Sequence, residues 1–229
     1  MIPLRDNIPS LRPPLITYLL IAFNVLIFLF QLSLTRREME LLIFTYGFIP
    51  ARFLSQMGEA PLTALFTPVF TSMFLHGGWL HLISNVWTLF IFGDNVEDTL
   101  GHGRYLLFYL ASGVVAAFTQ MLAGPWSPVP MIGASGAIGG VMGAYFALFP
   151  QARVLTLVPF FLFLIIEVPA YFYLGLWFVL QFFSGTLAAL GPGVKGGIAF
   201  WAHVGGFAAG YLFIRLWGRA ARPVLRRGW

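Results

Sequence analysis

The chain repeatedly runs through stretches of about 20 residues that are almost free of charge, and this constrains its fold more than any other feature. Leu15–Gln31 is the first such stretch. It begins just after Pro13-Pro14 and is long enough to cross a bilayer as a helix. Five more follow, at about Trp79–Phe92, Arg104–Ala123, Ala134–Phe149, Val168–Leu187 and Ile198–Trp217. Only 9% of the residues are charged and 59% are hydrophobic, whereas an ordinary soluble domain is about 25% charged. Such a chain has too few charges to clothe a soluble core and too much apolar surface to stay disordered, so lipid is its expected solvent. Leu15–Gln31 does not read as a cleaved leader, because the run is too long and no small-residue cleavage site follows it.

The fold class expected is all-α: one membrane domain over 1–229, a six-transmembrane-helix bundle. Its first loop, 32–78, is long and contains interfacial helix around Leu41–Phe48, and a basic tail occupies 218–229. Val154–Ile166 is apolar but short and is interrupted by Pro159, so it is not counted as a span. Charge supports the even count. Arg5 and Arg12 flank the first span, and five of the 13 basic residues lie between Arg215 and Arg227. Both termini therefore favour the cytoplasm. The net charge of +5 belongs to these flanks and not to a nucleic-acid-binding stripe. The Arg cluster reads as an orientation signal and an anchor to anionic lipid. With no cysteine there is no disulfide, thiol catalyst or Cys-based metal site, and the histidines lack co-ligands at metal spacing. No cofactor is implied.

Polar groups inside apolar spans are functional candidates. His81 and Asn85 stand in span two, Ser135 opens span four, and His203 lies in span six. These three spans run in the same direction across the membrane, so the polar groups converge at one outer face, at depths of roughly 2–8 Å. Asn85 lies one turn below His81 on the same helical face. Gly139 and Gly143 share the face of Ser135, and Gly206 and Gly210 share that of His203. These are small-residue seams that let two helices approach closely. Facing seams would bring the Ser135 hydroxyl to an imidazole nitrogen of His203, as an activated nucleophile requires. Gly205 points about 100° away and is expected to be less sensitive to bulk. Taken singly, Ser135 could be an N-cap, each histidine a structural hydrogen-bond partner and each glycine seam simple packing. From the residues alone, an enzyme and a transport or binding site both remain open.

Four stretches resemble the rhomboid family of intramembrane serine proteases. His76–Asn85 reads H-x4-H-x3-N, Gly93–Gly101 reads Gly-Asp-Asn-Val-Glu-Asp-Thr-Leu-Gly, Gly133–Gly136 reads G-x-S-G, and Ala202–Gly206 carries His203 with Gly210 beyond. The resemblance implies a Ser–His dyad, with Ser135 as nucleophile and His203 as general base. It also implies an oxyanion site formed by the Ser135 N–H, His81 and Asn85. Gly133 would keep that backbone accessible, His76 would shape the first loop, and Gly206 would pack near the site. Partners would be transmembrane segments of substrate proteins, and the location a plasma membrane. No third acid is expected near His203, since Asp94, Glu97 and Asp98 fall on the cytoplasmic side. Two features depart from many relatives. Thr67-Pro68 stand where those relatives carry Trp-Arg, and Gly139 stands where some place a tyrosine on the histidine. A non-catalytic client-binding relative or a small transporter is the rival reading. No internal repeat or paired mid-membrane charge favours the transporter.

Overall fold

The computed structural model describes residues 1–159, 164–190 and 199–217. The Gly-rich loop with Lys195 and the basic tail 218–229 lie outside the described residues. Six helices correspond to the six apolar stretches: α1 (Leu15–Leu32), α5 (Trp79–Leu100), α6 (His102–Ala123), α7 (Ser135–Leu148), α8 (Ala170–Leu190) and α9 (Phe200–Trp217). Of these, α1, α6 and α8 are long and apolar enough by themselves to cross a membrane. The first loop folds into α2 (Arg36–Tyr46), α3 (Pro50–Gln56) and α4 (Leu62–Thr71), followed by one 3-10 turn at Ser72–Phe74.

The short helix α7 forms the centre. Residues 136–145 are all buried, and most are Gly or Ala. Their small size brings neighbouring backbones into contact. A Cβ built on Gly206 or Gly210 of α9 would run into the carbonyl oxygens of Gly136 and Gly140, and one on Gly143 into that of Phe207. The α9 seam thus meets Gly136 and Gly140, while Gly139 and Gly143 lie beneath His203 and Phe207. A Cβ on Gly205 would strike the Thr119 side chain of α6. The expectation that Gly205 tolerates bulk therefore fails: α9 is wedged between two helices and uses a different glycine against each.

Polar residues that read as the end of span two are instead part of α5, which continues to Leu100. Gly93 does not break the helix. A Cβ there would lie 2.8 Å from the Tyr105 hydroxyl and 3.0 Å from Thr17, so the glycine makes room for α6 and α1. Beyond it, the acidic end of α5 binds the N-terminal segment. Pro14 gives α1 no side-chain cap. The buried Glu97 carboxylate supplies one, accepting the Ile16 and Thr17 N–H groups at 2.8 Å and the Thr17 hydroxyl at 2.7 Å. Orphan amides at a helix start favour an anion of this kind. Asp98 accepts from Leu11 N–H at 2.7 Å, and Asn95 donates to the Ile8 carbonyl at 3.1 Å. Gly101, at φ +75°, reverses the chain into α6 in a single residue, which a glycine does readily.

The all-α expectation needs one correction. The chain also holds a three-stranded antiparallel sheet of β1 (Ile2–Asp6), β2 (Arg153–Val158) and β3 (Leu164–Pro169), in the order β1-β2-β3. Val154–Ile166, excluded as a span, supplies most of the β2–β3 hairpin, with Val154 paired to Val168 and Val158 to Leu164. Its β-branched content and Pro159 suit strands and a turn better than a helix. The strand β1 pairs Asp6 with Val154, and its Pro3 carbonyl accepts the Trp87 indole N–H at 2.6 Å.

Asp6 also accepts the Tyr145 hydroxyl of α7. Burial, partly opposed by the Tyr145 bond, raises the Asp6 carboxyl to about 6. A raised folded value favours the protonated form. Its contribution to stability is therefore full below the unfolded value and is lost as pH climbs through about 6. Asp6→Asn, which cannot ionise, should raise the Tm of detergent-solubilised protein above that of the parent at about pH 8, and lose the advantage by about pH 4. A Tm difference independent of pH would show that Asp6 is not buried against Tyr145.

Candidate active site

Ser135 is the first residue of α7, His81 the third of α5 and His203 the fourth of α9. The three helix ends meet around a cavity of about 450 Å³ lined by Gly77, His81, Asn85, Ser135, Trp177 and His203, among others. The Ser135 hydroxyl lies 2.8 Å from His203 Nε2. Backbone contact between α7 and α9 sets this spacing, because side chains larger than glycine in the seam would hold the two helices apart.

The segment leading to Ser135 is fixed from both sides by the first loop. Phe48 and Met131 exchange two backbone hydrogen bonds, at 3.1 and 2.8 Å, and the Gly133 N–H donates to the Ser72 carbonyl at 2.8 Å. Phe48 is itself held in an apolar cluster with Phe53, Leu65, Val69 and Ala117. Within the loop, the Arg52 guanidinium donates to the carbonyls of Phe44, Thr45 and Gly47 and so closes the C-terminal end of α2. This ties α3 to the end of α2 within the loop.

Gly133 is demanded twice. Its φ of +120° disfavours any side chain, and a Cβ there would sit 2.6 Å from His81 Nε2. His81 thus lies directly over the strand entering Ser135. The Gly77 N–H approaches His81 Nδ1 at 3.4 Å, which makes Nδ1 the acceptor and leaves the proton on Nε2, aimed at the cavity. Asn85 is nearby, its amide nitrogen 3.7 Å from the same point beside Gly133.

His76 sits behind Asn85. Its Nε2 is 3.0 Å from Asn85 Nδ2 and accepts one of the two amide protons, so the other remains available to the cavity. Burial, with the neighbouring His81 second, lowers His76 to about 4, so its ring is neutral near pH 7 and able to accept. The buried Gln31 of α1 grips the His76 backbone, accepting its N–H at 2.9 Å and donating to its carbonyl at 3.0 Å. His76 therefore touches both the loop and the site.

Two residues at the site went unnoticed in the sequence. Gln181 Oε1 lies 2.8 Å from His203 Nδ1, and the Trp177 ring lies 5.7 Å from the imidazole with the planes 35° apart. They stand one turn apart on α8, and their i,i+4 spacing was the available signal. Together they approach the His203 ring from α8. The arrangement comprises a hydroxyl on an imidazole, that imidazole held from behind, and neutral N–H donors with free helix-start amides on the other side of the hydroxyl. This is the geometry required for attack on a carbonyl carbon.

The packing generates a stability test. Gly205→Val and Gly206→Val should each destabilise the protein by about 1–3 kcal/mol or more, since both force helices apart. Gly103→Ala in α6, where an added Cβ meets nothing within 4 Å, should be neutral or slightly stabilising. Thermal unfolding followed by tryptophan fluorescence would check this. Equal Tm values for all three variants would contradict the close seam.

Comparison with known proteins agrees with this geometry. The family model described as the rhomboid domain matches residues 63–220. Rhomboid protease GluP of Bacillus subtilis is 36% identical over 132 residues, which is 57% of this chain and 24% of that protein. Putative rhomboid protease YdcA of the same organism is 39% identical over 75 residues, 33% of this chain and 37% of that protein. The mitochondrial Rhomboid protein 1 of Saccharomyces cerevisiae is 30% identical over 151 residues, 62% of this chain and 39% of that protein. The chain thus spans about a quarter to two fifths of the length of these relatives. The domain match extends from α4 through α9 and so includes the residues lining the cavity, from Gly77 to His203. On that match, the chain is a member of the rhomboid family, a multi-pass integral membrane protein.

Proposed function

We propose that the protein is an active serine endopeptidase that hydrolyses peptide bonds in or next to transmembrane segments of other membrane proteins. The observation that carries this reading is the 2.8 Å contact between Ser135 Oγ and His203 Nε2 at a cavity shared with His81 and Asn85. In this mechanism His203 Nε2 takes the Ser135 proton as Oγ bonds to the substrate carbonyl carbon. The carbonyl oxygen becomes an oxyanion facing the Ser135 N–H, His81 Nε2–H and the free amide proton of Asn85. His203 then gives its proton to the departing amine as the C–N bond breaks, leaving an ester on Ser135. Water attacks that ester, His203 takes a proton from the water and returns it to Ser135 Oγ, and the new carboxyl end leaves. The partial positive charge at the start of α7 adds to the donors that face the oxyanion.

All six helices α1 and α5–α9 cross the membrane in this reading, with both termini in the cytoplasm of a cell whose plasma membrane holds the protein. Ser135 then lies near the outer surface, where water reaches the cavity. A substrate helix hides its carbonyls in i→i−4 bonds, so attack needs a locally unwound segment. Cleavage should fall in the outer half of the substrate's membrane segment or just beyond it, with Gly, Pro or polar residues below the cut.

Purified Ser135→Ala and His203→Ala should lose all cleavage of a single-span reporter protein, and Asn85→Ala should lose about 10²-fold, the value of one oxyanion donor. Mass spectrometry of the products locates the cut. Near-parental turnover by Ser135→Ala or His203→Ala would refute the dyad. A cut in the cytoplasmic half would refute the orientation.

A further inference from the structure

The imidazole of His203 has two nitrogens and only one faces Ser135. A base at Nε2 needs its lone pair free, so the proton of the neutral ring must reside on Nδ1. In water the two tautomers lie close in energy, and a fixed partner at Nδ1 decides between them. Gln181 Oε1 stands 2.8 Å from Nδ1. An amide oxygen accepts and cannot donate, so this contact exists only with the proton on Nδ1. We propose that Gln181 is a positioning residue for His203: its side-chain carbonyl holds the Nδ1 proton and thereby leaves Nε2 as the base toward Ser135. This deepens the reading of Ser135 and His203 given above and rests on it.

Three features make the assignment specific. Gln181 comes from α8, while the groups it completes come from α7 and α9, so the bond is not a by-product of one helix's own geometry. Trp177, one turn before it on α8, lies with its ring 5.7 Å from the same imidazole and limits its tilt. Each residue would be a poor orienter without the other, since the tryptophan fixes the plane and the glutamine fixes the rotation within it. The acceptor is also neutral. A carboxylate at this half-buried, aromatic-lined place would carry a desolvation penalty that an amide avoids. The amide orients the base without adding a charge beside it. The residue acts through His203 and touches neither the serine nor the scissile bond.

The four histidines of the chain make a direct test practical. 15N-histidine NMR is recorded in detergent micelles at a pH about two units above the ordinary histidine value, in the Ser135→Ala background. There the serine hydroxyl no longer biases the ring, and no turnover is needed. Comparison with His203→Ala assigns the signal. His203 should show the Nδ1–H tautomer, and adding Gln181→Met should move it toward Nε2–H. In the otherwise parental enzyme, Gln181→Met should lower kcat about 10- to 100-fold with KM unchanged, as loss of an orienting partner does. Gln181→Glu, which keeps an acceptor at the same reach, should hold His203 in the Nδ1–H tautomer that Gln181→Met loses. A Tm near the parent's certifies that each variant is folded. An Nε2–H tautomer in the Ser135→Ala protein would overturn the role, as would a tautomer unmoved by Gln181→Met or a kcat that survives the tautomer change. If the parental enzyme cleaves nothing, the protease reading fails on its own, and the NMR comparison still decides what Gln181 does to His203.

Discussion

Contact between the backbones of α7 and α9 is the constraint on which the rest of this structure depends. Glycines at 136, 140, 206 and 210 let the two helices touch along carbonyl edges, and that separation places a serine and a histidine 68 residues apart within 2.8 Å. No attraction between the two side chains could impose that spacing, because one hydroxyl–imidazole bond contributes only about 1 kcal/mol. Packing among small residues, where lipid gives helices no hydrophobic reason to associate, does most of the work. The same logic explains why α7 can be short. Its ten buried residues from 136 to 145 lie on every face, so it is held by α5, α6 and α9 together.

Around this pair, the polar groups divide by task. At one end of the bundle, Glu97, Asp98 and Asn95 fasten the N-terminal segment, and Glu97 serves as the cap that Pro14 does not supply. At the other end, Phe48 and Ser72 hold the chain around Gly133 through backbone hydrogen bonds, and the Gln31 side chain holds the backbone of His76. Both sets join segments far apart in sequence, so the helices are clamped at their two ends and the glycine seam lies between the clamps. The cavity groups are oriented from behind in the same manner, Asn85 by His76 and His203 by Gln181.

Much of this was legible in the sequence. Each apolar stretch is a helix in the structure, because a run of about 20 apolar residues has few other ways to satisfy its backbone. The convergence of His81, Asn85, Ser135 and His203 followed from helix direction alone. Other parts were hidden for physical reasons. Asp94 to Asp98 read as a helix end because charges usually meet water, whereas here they meet the N-terminal segment of their own chain. Strands β2 and β3 place apolar residues on both faces, so they lack the alternation that would have marked them as strand. Gly205 seemed free because one helix face was matched to one partner, and Thr119 of α6 was a second. Gln181 is a single amide in an apolar helix, and its spacing from Trp177 does not say which group it faces. Only tertiary packing shows what it faces.

Catalysis at this cavity requires an activated hydroxyl at Ser135, and covalent labelling reads that property without a known substrate. A fluorophosphonate probe is applied to the purified protein in detergent, and the adduct is mapped by peptide mass spectrometry. A single phosphonylated residue, Ser135, should form on the parent and be absent from His203→Ala. No adduct on folded parent protein, an adduct on another serine, or equal labelling of Ser135 after His203→Ala would contradict it.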